Sequence, residues 1–476
     1  MVTSRWIINQ KGDGRIKARI VARGYEESEK CLETDAPTVD KTNIRTFLTV
    51  ISMKGWEAGS LDVKAAFLQS HELKREVFLQ PPKDIRKPHI IWKIKKPVYG
   101  LKDSAMNWYK TLDHDLLALG CTKSILDPTV YRYFNNGNEL LGLFVCHVDD
   151  FLYSIGNSVF SEQVITKIES QYSISSQNLG SFTYVGLNIK PFKGGLSIDQ
   201  EDYVQKTKPT DLSDIKGEEN SLLEKDGKKT YQALLGKLNW LAHQSRPDLS
   251  FYAYNYSLFS QAPTVGNIRK LNNIIRKIPC GPSRLVLAKL DMESLQFVCF
   301  SDASYANILP EKINSGEGYL TFICDKYGNY ALLNWKSKKI NRVVHSTLGA
   351  ECLGLVDSIG DAVYTRNVLE EILFNNTRSY QIPIHMYVDS KQLFSAISSN
   401  HMVTEKLLRI NIAELKEMVS GNLNILLYWI PTKLMLSDCL TKIGASTQEL
   451  QQVMENGLID LEELKCNRAC LRLDNV

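Results

Sequence analysis

The stretch Gly142–Gly156, GLFVCHVDDFLYSIG, sets two adjacent aspartates inside an otherwise apolar run. Bounded by glycines and rich in Val, Phe, Leu and Tyr, it reads as strand, turn, strand, with Asp149 and Asp150 at the turn. Burying such a pair costs on the order of several kcal/mol unless something positive compensates. The run therefore demands both a rigid hairpin and a cation. His147 stands one residue before Val148 and adds a titratable ring to the same tip.

The chain has 476 residues, enough for roughly three domains of about 150 residues each. With 43% hydrophobic and 23% charged residues, most of it should fold into ordinary globular cores. The net charge is only +4, so any nucleic-acid face must be local. Ten cysteines lack CxxC pairs and zinc-like spacing; even Cys466 and Cys470 have no partnering histidines. That usage fits reduced thiols inside a cell. No apolar run approaches the ~20 residues needed to span a membrane, and the basic N-terminus has no apolar core of a signal peptide.

The first 200 residues alternate strands with helix-like stretches. RWIINQ and IKARIVARGY read as strands around the turn KGDGR, and NIRTFLTVISMKGW has helical apolar spacing. EAGSLDVKAAFLQS reads as a strand running into a polar break. VFSEQVITKIESQY follows the acidic hairpin as a helix, and FTYVGLNIKPFKGGLSID as a strand pair. Residues 205–230 are polar and read as a linker or long loop, followed by the helical stretches YQALLGKLNWLAHQ and VGNIRKLNNIIRKI. From about 290 three strands, a long helix over 346–373, and the strands IPIHMYVDS and NILLYWIP give an order β-β-β-α-β-α-β-α, an α/β pattern.

Acids fall at the ends of these elements. Asp62 ends the strand of LDVKAAF, and bringing it beside Asp149 and Asp150 makes three hard oxygen ligands of the kind that suit Mg²⁺. Two such ions about 4 Å apart can activate a 3′-hydroxyl and stabilise a leaving pyrophosphate. A single Asp at a turn is equally an ordinary solvated residue. In the C-terminal part Asp302 ends a strand, Glu351 opens the long helix, Asp389 ends another strand and Asp438 is expected at the start of a last helix. Four acids gathered at one sheet edge would repel strongly without metal, and with two Mg²⁺ they can cut phosphodiesters.

KARIVARGYEE, LDVKAAFLQ, VYGLKDSAMNWY and CHVDDFLYS occur in the same order and with similar spacing as in the reverse transcriptase of copia-like LTR retrotransposons, and SRPDLSFYAYNYSLFSQAPT resembles a further segment of that family. The resemblance implies that Asp62, Asp149 and Asp150 are the metal ligands of a polymerase palm. It implies that Lys17 and Arg19 contact the incoming triphosphate, and alternate strand positions do place both on one face. Phe67 corresponds to the aromatic that crowds the sugar 2′ position. Tyr99–Ala105 corresponds to the segment against the template–nucleotide pair, where Gly100 permits close backbone approach and Lys102 can reach a phosphate. Leu179–Ile189 corresponds to the support of the primer end.

The strand–helix–strand–helix order of Asp302, Glu351, Asp389 and Asp438 matches the ribonuclease H fold, and SDASYAN, NWKSKKINRVVHSTLGAECLGL, YVDSKQLFSAI and LSDCLTK resemble the ribonuclease H blocks of the same retrotransposons. These four are the implied catalytic acids. The cationic run Lys336–Arg342 is placed to follow the phosphates of a hybrid, with Trp335 offering an aromatic edge; Lys406 and Arg409 are a second candidate contact.

The expected architecture is an α+β polymerase right hand (fingers, palm, thumb) followed by an α/β ribonuclease H-like domain. Its expected divisions are fingers and palm over 1–204, N-terminally incomplete by the family pattern; linker and helical thumb over 205–289; the ribonuclease H-like domain over 290–445; and a tail over 446–476. The expected activity is RNA-directed DNA polymerase with ribonuclease H, using two Mg²⁺ per site (Mn²⁺ can substitute). The implied partners are an RNA template, a DNA primer, an RNA–DNA hybrid and dNTPs. No membrane partner is expected, and the family implies a cytoplasmic setting in virus-like particles. Two departures stand out: His147 replaces the family's usual Tyr, and Ala105 its usual Pro or Gly. His147 and the fingers residues missing by the family pattern motivate the alternative of a catalytically weak or inactive nucleic-acid-binding relic of a retrotransposon Pol.

Overall fold

The computed structural model of the chain describes residues 1–10, 14–28, 31–306, 315–376, 380–399, 403 and 405–470. Their contacts divide into two compact units, Met1–Asp40 with Glu57–Leu179, and Lys41–Trp56 with Gly180–Val476.

The first unit is built on a six-stranded antiparallel sheet. Its strands lie in the order Ile174–Leu179, Glu57–Val63, Asp150–Ile155, Leu140–His147, Val130–Phe134 and Thr122–Lys123. The acidic stretch is its central hairpin. Phe144, Cys146, Phe151 and Tyr153 pack in one core with Trp108, Leu112 and Leu116 of the helix Ser104–Ala118 and with Phe160, Val164 and Ile168 after the hairpin. Leu143, Val145 and Leu152 alternate with them and are buried too, so the apolar run is continuous. Gly142 is required here, because a Cβ would lie 2.0 Å from the Phe160 ring. A second sheet of the same unit runs Ile16–Ala22, Val2–Gln10, Val77–Gln80, Trp92–Ile94. Residues 11–13 of the expected KGDGR turn lie outside the described residues.

The second unit carries a ten-stranded sheet. The ribonuclease H-like part is the run Tyr330–Lys339, Gly316–Cys324, Gln296–Ser304, Ile384–Val388, Ile425–Trp429. The first three are antiparallel, and the last two join parallel. The long helix Thr347–Phe374 packs on this sheet, and its Leu355, Ile359, Ala362 and Leu369 are buried. Three further helices, Lys225–Gln244, Ser250–Ser257 and Val265–Lys277, share an apolar core around Leu234, Leu238, Leu241, Ile268 and Leu271.

Several expectations change. The units divide after residue 179, not 204, and the helix Lys41–Lys54 belongs with the second unit. Its Phe47, Leu48, Val50 and Ile51 are fully buried. The stretch 205–230 is no free linker: Leu212, Ile215 and Leu223 pack on the helical core, Thr210 and Asn272 exchange hydrogen bonds of 2.8 and 2.9 Å, and helix begins at Lys225. Two helices, Lys391–Ser398 and Lys406–Ser420, separate the last two parallel strands where one was expected. Residues 446–470 are not a tail, since Leu450, Met454, Leu461 and Leu464 bury the helices Gln448–Asn456 and Leu461–Asn467. Polar flanks hid these short amphipathic helices in the sequence.

His385, on the strand Ile384–Val388, stacks on Tyr428 at 5.5 Å between ring centroids. Burial, then the Arg468 and Lys465 charges, push its pKa down to about 4 from 6.5. The unfolded chain therefore takes up this proton first as pH falls, and the stability His385 contributes is complete above 6.5 and lost toward 4. Between about pH 7.5 and about pH 5 this one ring should account for about 2 kcal/mol of lost stability. His385→Phe, which keeps the stacking, should lose correspondingly less, as read by denaturant midpoints at the two pH values; an unchanged acid loss would rule out this origin.

Candidate active sites

The hairpin tip of the first unit is a two-residue turn. His147 pairs with Asp150, leaving Val148 and Asp149 at the turn. Val148 has φ +57°, a left-handed conformation that a β-branched residue adopts only when its surroundings impose it. Two bonds impose it: the Trp108 indole N–H donates to the Val148 carbonyl at 2.6 Å, and the Val63 amide donates to the Asp149 carbonyl at 3.0 Å. On the neighbouring strand Asp62 lies directly opposite Asp150. Ser175 donates to both the backbone and a side-chain oxygen of Asp62.

Asp62 and Asp149 line a cleft of ≈ 590 Å³ with Lys17, Arg19 and Tyr99. Trp92, Ile94 and Val98 supply apolar lining. Lys17 and Arg19 thus do share a face, and Arg19 lies 5.4 Å from the Tyr99 ring centre. Burial raises the Asp149 pKa, with Asp62 adding to the rise and Lys17 and Arg19 opposing it. Asp150 is pushed up to about 6 by burial and by its two acidic neighbours. The cost expected for adjacent buried acids is visible in both groups.

Phe67 packs tilted against Tyr99, centroids 4.8 Å apart, and rests on the core beneath the sheet. Gly100 has φ +91°, and its Cβ would meet the Ala22 carbonyl at 2.0 Å. Its close approach is therefore to the chain's own strand, sealed by hydrogen bonds from the Ala22 and Gly24 amides to Tyr99 and Gly100. Lys102 is exposed, and its ammonium donates to the Glu27 carbonyl at 3.0 Å. The His147 imidazole is half-buried, its pKa lowered by burial, and its Nδ1 has no hydrogen-bond partner among the described residues.

In the second unit Asp302, Glu351 and Asp389 bring ligand oxygens within 4.8 Å of one another. The adjacent parallel strands supply Asp302 and Asp389, and the long helix supplies Glu351. Asp302 is 1% exposed and its pKa rises to about 7, chiefly through burial; Glu351 rises well above the carboxylate range for the same reason and through Asp302 and Asp389. Thr441 donates to Asp302 and Thr432 to Asp389, the latter at 2.8 Å. Asp438 lies in a single 3₁₀ turn, Asp438–Leu440, not at the head of a helix. It is not among the three clustered acids; Lys442 pairs with it, and the same ammonium reaches Asp302 at 3.5 Å. Lys442 went unnoticed in the sequence, although it follows Asp438 by four residues in the quoted motif LSDCLTK.

The cationic run is partly committed internally. Lys338 pairs with Glu317 at 2.8 Å and with Asp357. Trp335 is not an exposed edge: it is buried, donates to the Ala242 carbonyl at 2.8 Å, and carries Arg45 over its ring at 4.0 Å. Arg409 donates to the Val403 carbonyl at 2.8 Å, and Lys406 is exposed.

A sheet with acids at its central turn, followed by an α/β sheet edged with a second acidic triad, has the architecture of a polymerase right hand with a ribonuclease H-like domain. Residues 1–220 match the family described as reverse transcriptase (RNA-dependent DNA polymerase). Over 402 residues, 79% of the chain, it is 28% identical to the retrovirus-related Pol polyprotein from transposon RE1 of Arabidopsis thaliana, covering 26% of that protein. A truncated transposon Ty1-A Gag-Pol polyprotein of Saccharomyces cerevisiae is 24% identical over 93% of the chain and 38% of its own length. The foamy viral protease-reverse transcriptase, solved in complex with RNA/DNA hybrid, shares the fold with a TM-score of 0.53 at 14% identity, over 93% of this chain and 52% of that one. The chain resembles the reverse transcriptase portion of a copia-like retrotransposon Pol polyprotein, and spans about a quarter of the length of its Arabidopsis relatives.

Removing the Lys442 charge leaves Asp302 buried among acids without its cation. Lys442→Met should cost about 1–3 kcal/mol of stability in chelator, and added Mg²⁺ should recover part of the loss. Thermal melts with and without the ion check this; an unaltered melting temperature in chelator would show the pair to be unimportant.

Proposed function

We propose that the chain is an RNA-directed DNA polymerase that also cleaves the RNA strand of an RNA–DNA hybrid. The observation that supports this most directly is the register that sets Asp62 against Asp150 beside the tip residue Asp149, in a cleft shared by Asp62, Asp149, Lys17 and Arg19. Their donor set is all hard oxygen, which fits divalent cations such as Mg²⁺, and the Asp302–Glu351–Asp389 triad fits one likewise. When bound, such ions supply Lewis-acid stabilisation of phosphoryl charge and a lowered pKa for the attacking oxygen.

The chain's own residues do the rest. Lys17 and Arg19 receive the triphosphate of a dNTP as charge-assisted donors. Tyr99 and the apolar wall around Trp92 and Val98 order the nucleotide and exclude water from the cleft. Phe67, packed on Tyr99, limits space at the sugar. The strained, doubly anchored turn holds Asp149 fixed while the primer hydroxyl attacks the α-phosphate and pyrophosphate leaves. In the second unit Asp302, Glu351 and Asp389 would hold the divalent cation that stabilises charge at the scissile phosphate, and an A-like hybrid is recognised by shape and 2′-hydroxyls with little sequence preference.

Two observations favour the alternative, a nucleic-acid-binding relic. The oxygens of Asp62, Asp149 and Asp150 do not form a cluster within 4.8 Å among the described residues, and Lys442 engages the fourth acid of the second site. The two readings part on primed RNA with Mg²⁺. Asp149→Asn should cut dNTP incorporation at least about a hundredfold and spare hybrid cleavage, while Asp389→Asn should do the reverse. Wild type that incorporates no more than Asp149→Asn would leave only the relic.

His147→Tyr restores the ring and hydroxyl usual in the family and removes an orphaned imidazole nitrogen. If position 147 contacts the primer, as the resemblance implies, primer extension should rise; extension that is equal or lower would remove that primer-contact role.

A further inference from the structure

The first unit holds a second cluster of metal-ligating side chains, outside the nucleotide cleft. His71 follows the short helix Ala66–Gln69, and His114 and Asp115 lie on the helix Ser104–Ala118. One ligand atom from each falls within 4.8 Å of the others. The His114 Nδ1 is 3.0 Å from Asp115 Oδ1, and the two imidazoles meet edge-on with centroids 5.5 Å apart.

The surroundings are those of a supported ligand set. Asp115 is buried, and its other oxygen, Oδ2, accepts from the Gln171 amide and the Tyr172 hydroxyl. Those two bonds fix the carboxylate and leave Oδ1 directed to His114. The backbone of His71 is fixed as well, its amide donating to the Thr111 hydroxyl at 3.0 Å. Both imidazoles are exposed and free to close on an ion. Zinc-type ligands sit about 2.0–2.2 Å from the metal, so three donors this close need only side-chain adjustment.

We propose that His71, His114 and Asp115 bind a first-row transition-metal ion of the zinc class, which staples the segment after Ala66–Gln69 to the helix Ser104–Ala118. Two imidazoles and one carboxylate select such an ion over Mg²⁺, which prefers oxygen ligands only. Three protein ligands leave a coordination position for water. The helix being stapled is the one whose Trp108 anchors the strained Val148 turn, so the ion stiffens the support of the acidic tip. The proposal does not depend on polymerase activity.

Co²⁺ titration of the full chain in excess Mg²⁺ tests it, because a four-coordinate site of this kind gives visible ligand-field bands much stronger than those of an all-oxygen octahedral site. One equivalent should produce these bands and Zn²⁺ should abolish them. His71→Ala and His114→Ala should each weaken binding at least about tenfold, the loss at the low end for even a supporting partner of a ligand. His345→Ala, in the other unit, should not. Circular dichroism checks that the variants fold, and Zn²⁺ should raise the melting temperature of the wild type but not of the double variant. Absence of the bands in the wild type, their survival in His71→Ala/His114→Ala, or loss with only one of the single variants would overturn the three-ligand site.

Discussion

Everything at the first site depends on holding like charges together where water is scarce. Asp62 and Asp150 are opposed across an antiparallel pair, with Asp149 beside them at the turn. Left to themselves they would move apart or take up protons, and the raised pKa values of Asp149 and Asp150 record that pressure. The fold answers with rigidity. Val148 sits in a backbone conformation it would not choose, and the Trp108 N–H closes on its carbonyl. The core under the sheet, with Trp108, Phe144, Phe151 and Phe160, is what makes that bond possible. A loop could not store the same strain, because its surroundings would relax first.

The second site meets the same electrostatic problem differently. Asp302 and Glu351 are more deeply buried than the palm acids, and the fold supplies a cation from within the chain. Lys442 spans Asp302 and Asp438, while Thr441 and Thr432 donate to Asp302 and Asp389. Such a pair stabilises less than its geometry suggests, because both partners lose hydration. Its position matters more: one ammonium links Asp438 to Asp302, the most buried of the three acids that converge.

Much of this was legible in the sequence because it follows from short-range rules. The apolar run around Asp149 and Asp150 specifies a hairpin by composition, and the strand-end positions of Asp62, Asp302 and Asp389 follow from where the apolar residues stop. The two-residue spacing of Lys17 and Arg19 is enough to put them on one face. What could not be read is set by long-range packing. Trp335 lies beside a cationic run and looks exposed, yet residues ninety positions away bury it. Lys102 and Lys338 look like phosphate ligands, yet Glu27, Glu317 and Asp357 take them up. Apolar spacing marks Lys41–Lys54 as a helix, but only its contacts assign it to the second unit.

Gly100 shows how the two kinds of information combine. Its need for a close backbone approach was readable from its type, since only glycine accepts φ +91° with a carbonyl 2.0 Å from the missing Cβ. What approaches it was not readable. The neighbour is Ala22, at the end of the strand that carries Lys17 and Arg19. The glycine therefore acts on the cleft indirectly: it docks the Tyr99 segment onto the cationic strand and so fixes the spacing between Arg19 and the Tyr99 ring. A side chain at this position would push that segment off the strand, and the cleft would lose the alignment of its cations with its aromatic wall before it lost any residue that lines it.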